Sequence, residues 1–204
     1  MTKIKICGLR RPQDIAFVNE AMPDYAGFIL EVPKSRRSIS LGEAQRLKEQ
    51  LSHEIQAVGV FVNAPLPRIV EAVREGIVDL VQLHGGESEE EIDRLRELVS
   101  VPIIKAFPIA QPEDVTLAMQ SRADYLLFDH GSGGTGIAFD WSLVKGQKER
   151  PFFLAGGLRP ENISAAIARV RPFAVDLSSG VETDGIKDRE KILAAAAAVR
   201  SNTI

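Results

Sequence analysis

Two hydrophobic patterns alternate along the chain. Short, mostly apolar runs are separated by stretches in which apolar residues recur every three or four positions. The first pattern predicts buried strands, the second helices that hide one face. Strands are predicted at Lys3–Gly8, Asp24–Leu30, Gln56–Val62, Val78–His84, Val101–Phe107, Asp124–Phe128, Pro151–Ala155 and Phe173–Leu177. Helices are predicted at Arg11–Ala21, Ser40–Leu51, Pro67–Glu75, Ser88–Val99, Arg159–Arg169 and Asp188–Arg200, with a short, weakly patterned one at Pro112–Gln120 and a brief one at Asp140–Gly146. Local signals agree. Pro12 sits in a first turn, Ser40 and Glu43 have capping-box spacing, and Gly76 ends a helix. Ser88 is an N-cap followed by acids, which the helix dipole favours.

Eight strand–helix units follow one another without a linker or low-complexity tract. Several strands are apolar throughout, as in parallel sheets covered on both faces. Eight units predict an α/β fold, a TIM (β/α)8 barrel with short loops, as a single domain over residues 1–204. A doubly wound open sheet is the alternative, but it gives no reason for the count to stop at eight.

Composition narrows the function. The chain has 204 residues, 45% hydrophobic and 26% charged, with a net charge of −3 and no basic block. This argues against a nucleic-acid partner and against an anionic membrane surface. No apolar run approaches the ~20 residues of a membrane span, and the N-terminus lacks a signal peptide's apolar region. A cytoplasmic location is expected. The single cysteine, Cys7, can form no internal disulfide and excludes a multi-cysteine metal site. No nucleotide fingerprint is present, and neither metal nor cofactor is expected.

In a barrel, chemistry sits where strands run into helices. Polar residues collect there: Cys7, then Lys34, Arg36 and Arg37, Asn63, Gln82 and His84, Lys105, and Asp129. Asp129 opens a loop containing Gly131, Gly133, Gly134 and Gly136. Ala155-Gly156-Gly157 ends the seventh strand and Ser178-Ser179-Gly180 the eighth, where barrels often bind phosphate through backbone N–H groups. A small phosphorylated substrate is therefore expected. Strands one and six flank this pair, so Cys7 and Asp129 face each other across the mouth, a thiol opposite an acid. A free thiol titrates at about 8.5, and a modest local shift would make it a base near neutral pH. Proton transfer, such as an isomerisation, needs nothing more. Arg36 and Arg37 are either solvated or able to grip a substrate carboxylate. His84 is a base or an ordered supporting histidine, and Gln82 a partner inside the barrel. Asp176 fixes the phosphate loop or pairs with Lys3 or Lys5.

These residues resemble the phosphoribosylanthranilate isomerase family of tryptophan biosynthesis. The resemblance spans essentially the whole chain. It includes Lys5-Ile-Cys-Gly8, Pro33-Lys-Ser-Arg-Arg37, Gly59-Val-Phe-Val-Asn63, Val81-Gln-Leu-His-Gly85, Gly133-Gly-Thr-Gly136, Phe139-Asp-Trp141, Ala155-Gly-Gly-Leu158, Pro160-Glu-Asn162 and Val175-Asp-Leu-Ser-Ser-Gly-Val-Glu182. It implies an Amadori rearrangement of N-(5-phosphoribosyl)anthranilate, with Asp129 as general acid and Cys7 as general base. It implies that Arg37 meets the anthranilate carboxylate and that Gly156, Gly157, Ser179 and Gly180 hold the phosphate. A monomer or homodimer is expected, with the glycine loop after Asp129 folding over the substrate. A sister barrel of histidine biosynthesis carries an aspartate where Cys7 stands. An indole-glycerol-phosphate synthase needs a lysine acid and a glutamate pair, which Lys105 alone does not supply. A phosphosugar-binding or thiol-sensing barrel without activity would be favoured only if the acid or the base were missing.

Overall fold

The computed structural model describes residues 1–130 and 140–202. Eight parallel strands form its centre: β1 Lys3–Cys7, β2 Tyr25–Leu30, β3 Gln56–Phe61, β4 Leu80–Leu83, β5 Ile103–Pro108, β6 Tyr125–Asp129, β7 Phe152–Leu154 and β8 Ala174–Leu177. Each pairs with its neighbours, and β1 pairs with both β2 and β8, so the sheet closes on itself. A two-residue strand, Ser38–Ile39, extends the edge of β2. This is the TIM barrel expected from the alternation.

The helices are α1 Pro12–Ala21, α2 Leu41–Lys48, α3 Leu66–Arg74, α4 Glu89–Leu98, α5 Pro112–Ala118, α6 Pro160–Val170 and α7 Arg189–Ser201. The capping boxes at Ser40–Glu43 and Ser88–Glu91 form as their spacing predicts. The brief helix expected at Asp140–Gly146 is a 3-10 turn, Trp141–Val144. Its bonds run from Leu143 N to Asp140 O and from Lys145 N to Ser142 O, and Gly146 at φ 84 ends it. So short a segment closes the tighter i→i+3 bonds rather than a full α turn.

The core has two layers. Outward-facing strand residues such as Ile6, Phe28, Phe128 and Leu154 pack against the helices. Inward-facing residues, among them Tyr25, Val58, Leu80, Ile104, Leu127 and Phe153, fill the barrel. At the strand starts, Asp24, Asp79 and Asp124 accept the N–H of Ile4, Ala57 and Ile103 at 2.9, 2.7 and 2.8 Å. Each acid satisfies a donor at the start of the preceding strand, where the ladder has not yet begun. These bonds tie down the strand starts, at the end of the barrel opposite the strand C-termini.

Candidate active site

Strand alternation sends Lys3, Lys5 and Cys7 of β1 to one face, the barrel interior. Lys5 is fully buried and Cys7 is 6% exposed. Cys7 stands in register with Gly27 of β2, and a Cβ on Gly27 would lie 2.7 Å from Sγ. Only glycine leaves room for the thiol there. The chain then turns sharply, with Gly8 N and Leu9 N both donating to Gly27 O at 2.9 and 3.1 Å. Burial pushes the Cys7 thiol up, opposed by the Lys5 ammonium. The modest shift expected from the sequence thus runs upward, because desolvation of a buried thiolate outweighs the nearby cations.

Asp129 is the last residue of β6. Its Oδ1 accepts His130 N at 2.7 Å, and its Oδ2 lies 3.6 Å from His84 Nε2. On the other side of the ring, Gln82 Nε2 is 2.8 Å from His84 Nδ1. The two side chains share this hydrogen bond, which leaves the other ring nitrogen, Nε2, facing Asp129. Gln82 is 1% exposed, and its Oε1 is buried without a hydrogen-bond partner among the described residues.

Arg37 is buried beside the mouth. Its Nε and Nη2 donate to Glu182 at 2.6 and 2.8 Å, and Arg36 Nη2 donates to the same carboxylate at 2.9 Å. Lys187 Nζ donates to Glu182 Oε1 and to Ser178 O, each at 2.8 Å. Despite its burial, Glu182 is held down to about 2 by Arg37 and Lys187. Glu182 and Lys187 face each other in a small antiparallel hairpin, Glu182–Thr183 with Ile186–Lys187. Neither had an expected role. The Asp184-Gly185 pair between them is the hairpin signal that would have put them side by side.

The turns after β7 and β8 interlock. Gly156 and Gly157 adopt φ 81 and 62, which favours glycine. Gly180 sits so close to the β7 turn that a Cβ on it would lie 1.8 Å from Leu158 O. Ser179–Val181 forms a 3-10 turn directly after β8. Among the described residues, the N–H groups of Gly156, Gly157, Ser179 and Gly180 donate to no backbone carbonyl. Asn162 of α6 braces this end, donating to Gly157 O at 3.0 Å.

Asp176 settles between its two expected roles as the partner of Lys5, with Oδ1 and Oδ2 3.1 and 3.0 Å from Nζ. Lys105 is paired with Glu87 at 2.8 Å, and neither lines the cavity described next. That cavity, of about 550 Å3, lies at the C-terminal mouth of the barrel. Cys7, Asp129, Arg37, Gln82, His84 and Asp176 line it, as do Gly156, Gly157, Ser179 and Gly180. The sequence had placed these where strands run into helices, except Asp176, which it placed within the eighth strand. Ile29, Val32, Val60 and Val62 add an apolar wall. The glycine loop after Asp129, residues 131–139, lies outside the described residues, and its expected closure with it.

Such an arrangement can hold an anion on backbone N–H groups, a carboxylate on arginine, and a proton donor and acceptor at the same opening. Among known proteins, the model of the N-(5'phosphoribosyl)anthranilate (PRA) isomerase family matches residues 4–197. The N-(5'-phosphoribosyl)anthranilate isomerase of Endomicrobium trichonymphae is 47% identical over 205 residues, covering 98% of this chain and all of that one (100%). The crystal structure of phosphoribosyl anthranilate isomerase from Thermotoga maritima superposes with a TM-score of 0.90 at 36% identity, over 98% of this chain and 100% of that chain. A structure of the same enzyme type, in complex with reduced 1-(o-carboxyphenylamino)-1-deoxyribulose 5-phosphate, gives 0.87 at 36% identity with the same coverage, 98% and 100%.

Proposed function

This chain belongs to the N-(5'-phosphoribosyl)anthranilate isomerase family, enzymes of tryptophan biosynthesis, and from that membership we propose that Asp129 and Cys7 are its acid and base. The observation that carries the reading is their shared cavity, which is also lined by two glycine turns, whose N–H groups donate to no backbone carbonyl among the described residues, and by Arg37.

The substrate's phosphate docks on the turns after β7 and β8. Its anthranilate ring lies along Ile29, Val32, Val60 and Val62, with the carboxylate at Arg37. Asp129, in its acid form, protonates the furanose oxygen as the bond from C1′ to that oxygen breaks and the nitrogen lone pair forms an iminium. The Cys7 thiolate then removes the C2′ proton. The electrons of that C–H bond become the C1′=C2′ double bond, and the iminium π electrons return to nitrogen. The enol hydroxyl loses its proton and C1′ gains one, giving the 1-amino-ketose. His84 supports Asp129 and Gln82 orients His84. A cytoplasmic location and a monomeric or dimeric state belong to the same reading.

The test is conversion of phosphoribosylanthranilate by the purified protein, followed by loss of substrate fluorescence. Cys7→Ala and Asp129→Asn are expected to lower kcat by roughly 10²- to 10⁴-fold, the usual contribution of a general acid or base. Near-normal turnover in either variant removes that residue's role.

A further inference from the structure

Arg37 is held at both ends of its side chain. Its stem crosses Gly8, where an added Cβ would lie 2.5 Å from Arg37 Cδ. The residue after Cys7 thus leaves room for the arginine to reach the mouth. Its head meets Glu182 side-on, with Nε donating to Oε1 at 2.6 Å and Nη2 to Oε2 at 2.8 Å. A guanidinium carries five N–H donors in a rigid plane, and two of its edges are forks that match a carboxylate. Glu182 takes the fork of Nε and Nη2. Among the described residues, the other fork, of Nη1 and the second N–H of Nη2, donates to nothing, and Arg37 lines the cavity.

Glu182 is itself saturated. Oε1 accepts from Arg37 and Lys187, Oε2 from Arg37 and Arg36, and the residue does not line the cavity. Arg36, Arg37 and Lys187 pair with no other acid among the described residues. Three basic side chains around one carboxylate leave this corner with an excess of positive charge, which suits an incoming anion. Lys187 also donates to Ser178 O, next to the Ser179–Gly180 turn, so one carboxylate ties the arginine to the phosphate turn.

We propose that Glu182 is the positioning residue that sets selectivity for an ortho-carboxylated N-aryl substrate, by occupying the Nε/Nη2 fork of Arg37 and presenting the Nη1/Nη2 fork to the substrate carboxylate. This rests on the assignment of Arg37 to that carboxylate in the preceding reading. Without the clamp, the arginine keeps its charge but rotates about its terminal torsions. A fork aimed in advance favours the carboxylated substrate twice. That substrate gains two charge-assisted hydrogen bonds, and an analogue lacking the carboxylate leaves a buried polar edge unpaired.

The test compares kcat/KM for phosphoribosylanthranilate with that for the phosphoribosyl derivative of aniline, which lacks the carboxylate, counting ketose product by chromatography. In folded Glu182→Gln the ratio of the two should fall at least about 10-fold, the size of one lost charge-assisted hydrogen bond. The fall should come from a raised KM for the anthranilate substrate alone, with kcat changed less than about threefold. Lost stability by itself lowers the active fraction for both substrates and leaves the ratio in place. In an Arg37→Ala background, Glu182→Gln should change the ratio no further. An unchanged ratio in Glu182→Gln, or an equal fall in the Arg37→Ala background, overturns the proposal. If Glu182→Gln does not fold, Glu182→Asp decides by the same ratio, since it keeps the charge but is one methylene short of holding both nitrogens. A fall there supports the proposal, and an unchanged ratio overturns it. Arg37→Ala alone separates the two readings. An unchanged ratio in that variant refutes the carboxylate contact itself. A lowered ratio there, with an unchanged one in Glu182→Gln, refutes the role of Glu182 alone.

Discussion

Glu182→Gln is expected to destabilise the protein by about 3–5 kcal/mol at pH 7, and the loss should vanish in acid. Glu182 accepts from Arg37 twice, from Arg36 and from Lys187, and its side chain is 4% exposed. Its folded pKa of about 2, against 4.5 for an ordinary glutamate, corresponds to about 3 kcal/mol of stability in the ionised form. A glutamine of the same shape removes that and leaves Lys187 and Arg37 facing a neutral amide, a situation that costs about 3–5 kcal/mol when a buried pair loses one partner. The sign follows from the depressed pKa. The carboxylate's contribution is fully present above about pH 4.5 and is lost as pH falls through about 2. The variant cannot titrate, so the gap between the two proteins should be widest at neutral pH and narrow steadily below 4.5. Urea denaturation of both proteins, followed by far-ultraviolet circular dichroism at pH 7, 4.5 and 3, measures that gap directly. Working with the difference cancels the acid sensitivity of every other carboxylate. A gap under about 1 kcal/mol at pH 7, or one as large at pH 3 as at pH 7, would refute the idea that Glu182 is the charged hub of this corner.

Arg37→Ala should raise KM for phosphoribosylanthranilate roughly 10- to 100-fold with a smaller effect on kcat, as expected for losing a charge-assisted hydrogen bond to a carboxylate. Steady-state kinetics with unchanged KM would reassign that contact. Gly180→Ala puts a Cβ where only 1.8 Å separates it from Leu158 O, so it should cost at least about 1–3 kcal/mol of stability and weaken phosphate binding. A variant with the parental melting temperature and KM would show that the two turns do not need to interlock.

Much of this molecule was legible because barrel construction is periodic. Strand runs and capping residues located most elements to within a few positions, and eight units implied closure. The Asp140–Gly146 segment departed because four residues bounded by a glycine cannot support a full α-helical turn. The candidate residues were legible because a (β/α)8 chain brings every strand's C-terminal end to one face. Glu182 and Lys187 were not, since their importance comes from Arg37, some 145 residues away along the chain. The upward push on Cys7 was likewise invisible, because burial is a property of the packed interior.

The order of residues determined which side chains share a face: Lys5 with Cys7 on one strand, Gln82 with His84 on another. Alternation at two residues per repeat is intrinsic to an extended backbone and needs no tertiary information. Tertiary structure alone decided how the charges are shared. Closure of the barrel set Asp176 beside Lys5, and the β8 hairpin brought Glu182 to Arg37. Those pairings arise between strands and loops far apart in sequence. Their strength depends on exclusion of water, which exists only once the whole barrel is packed.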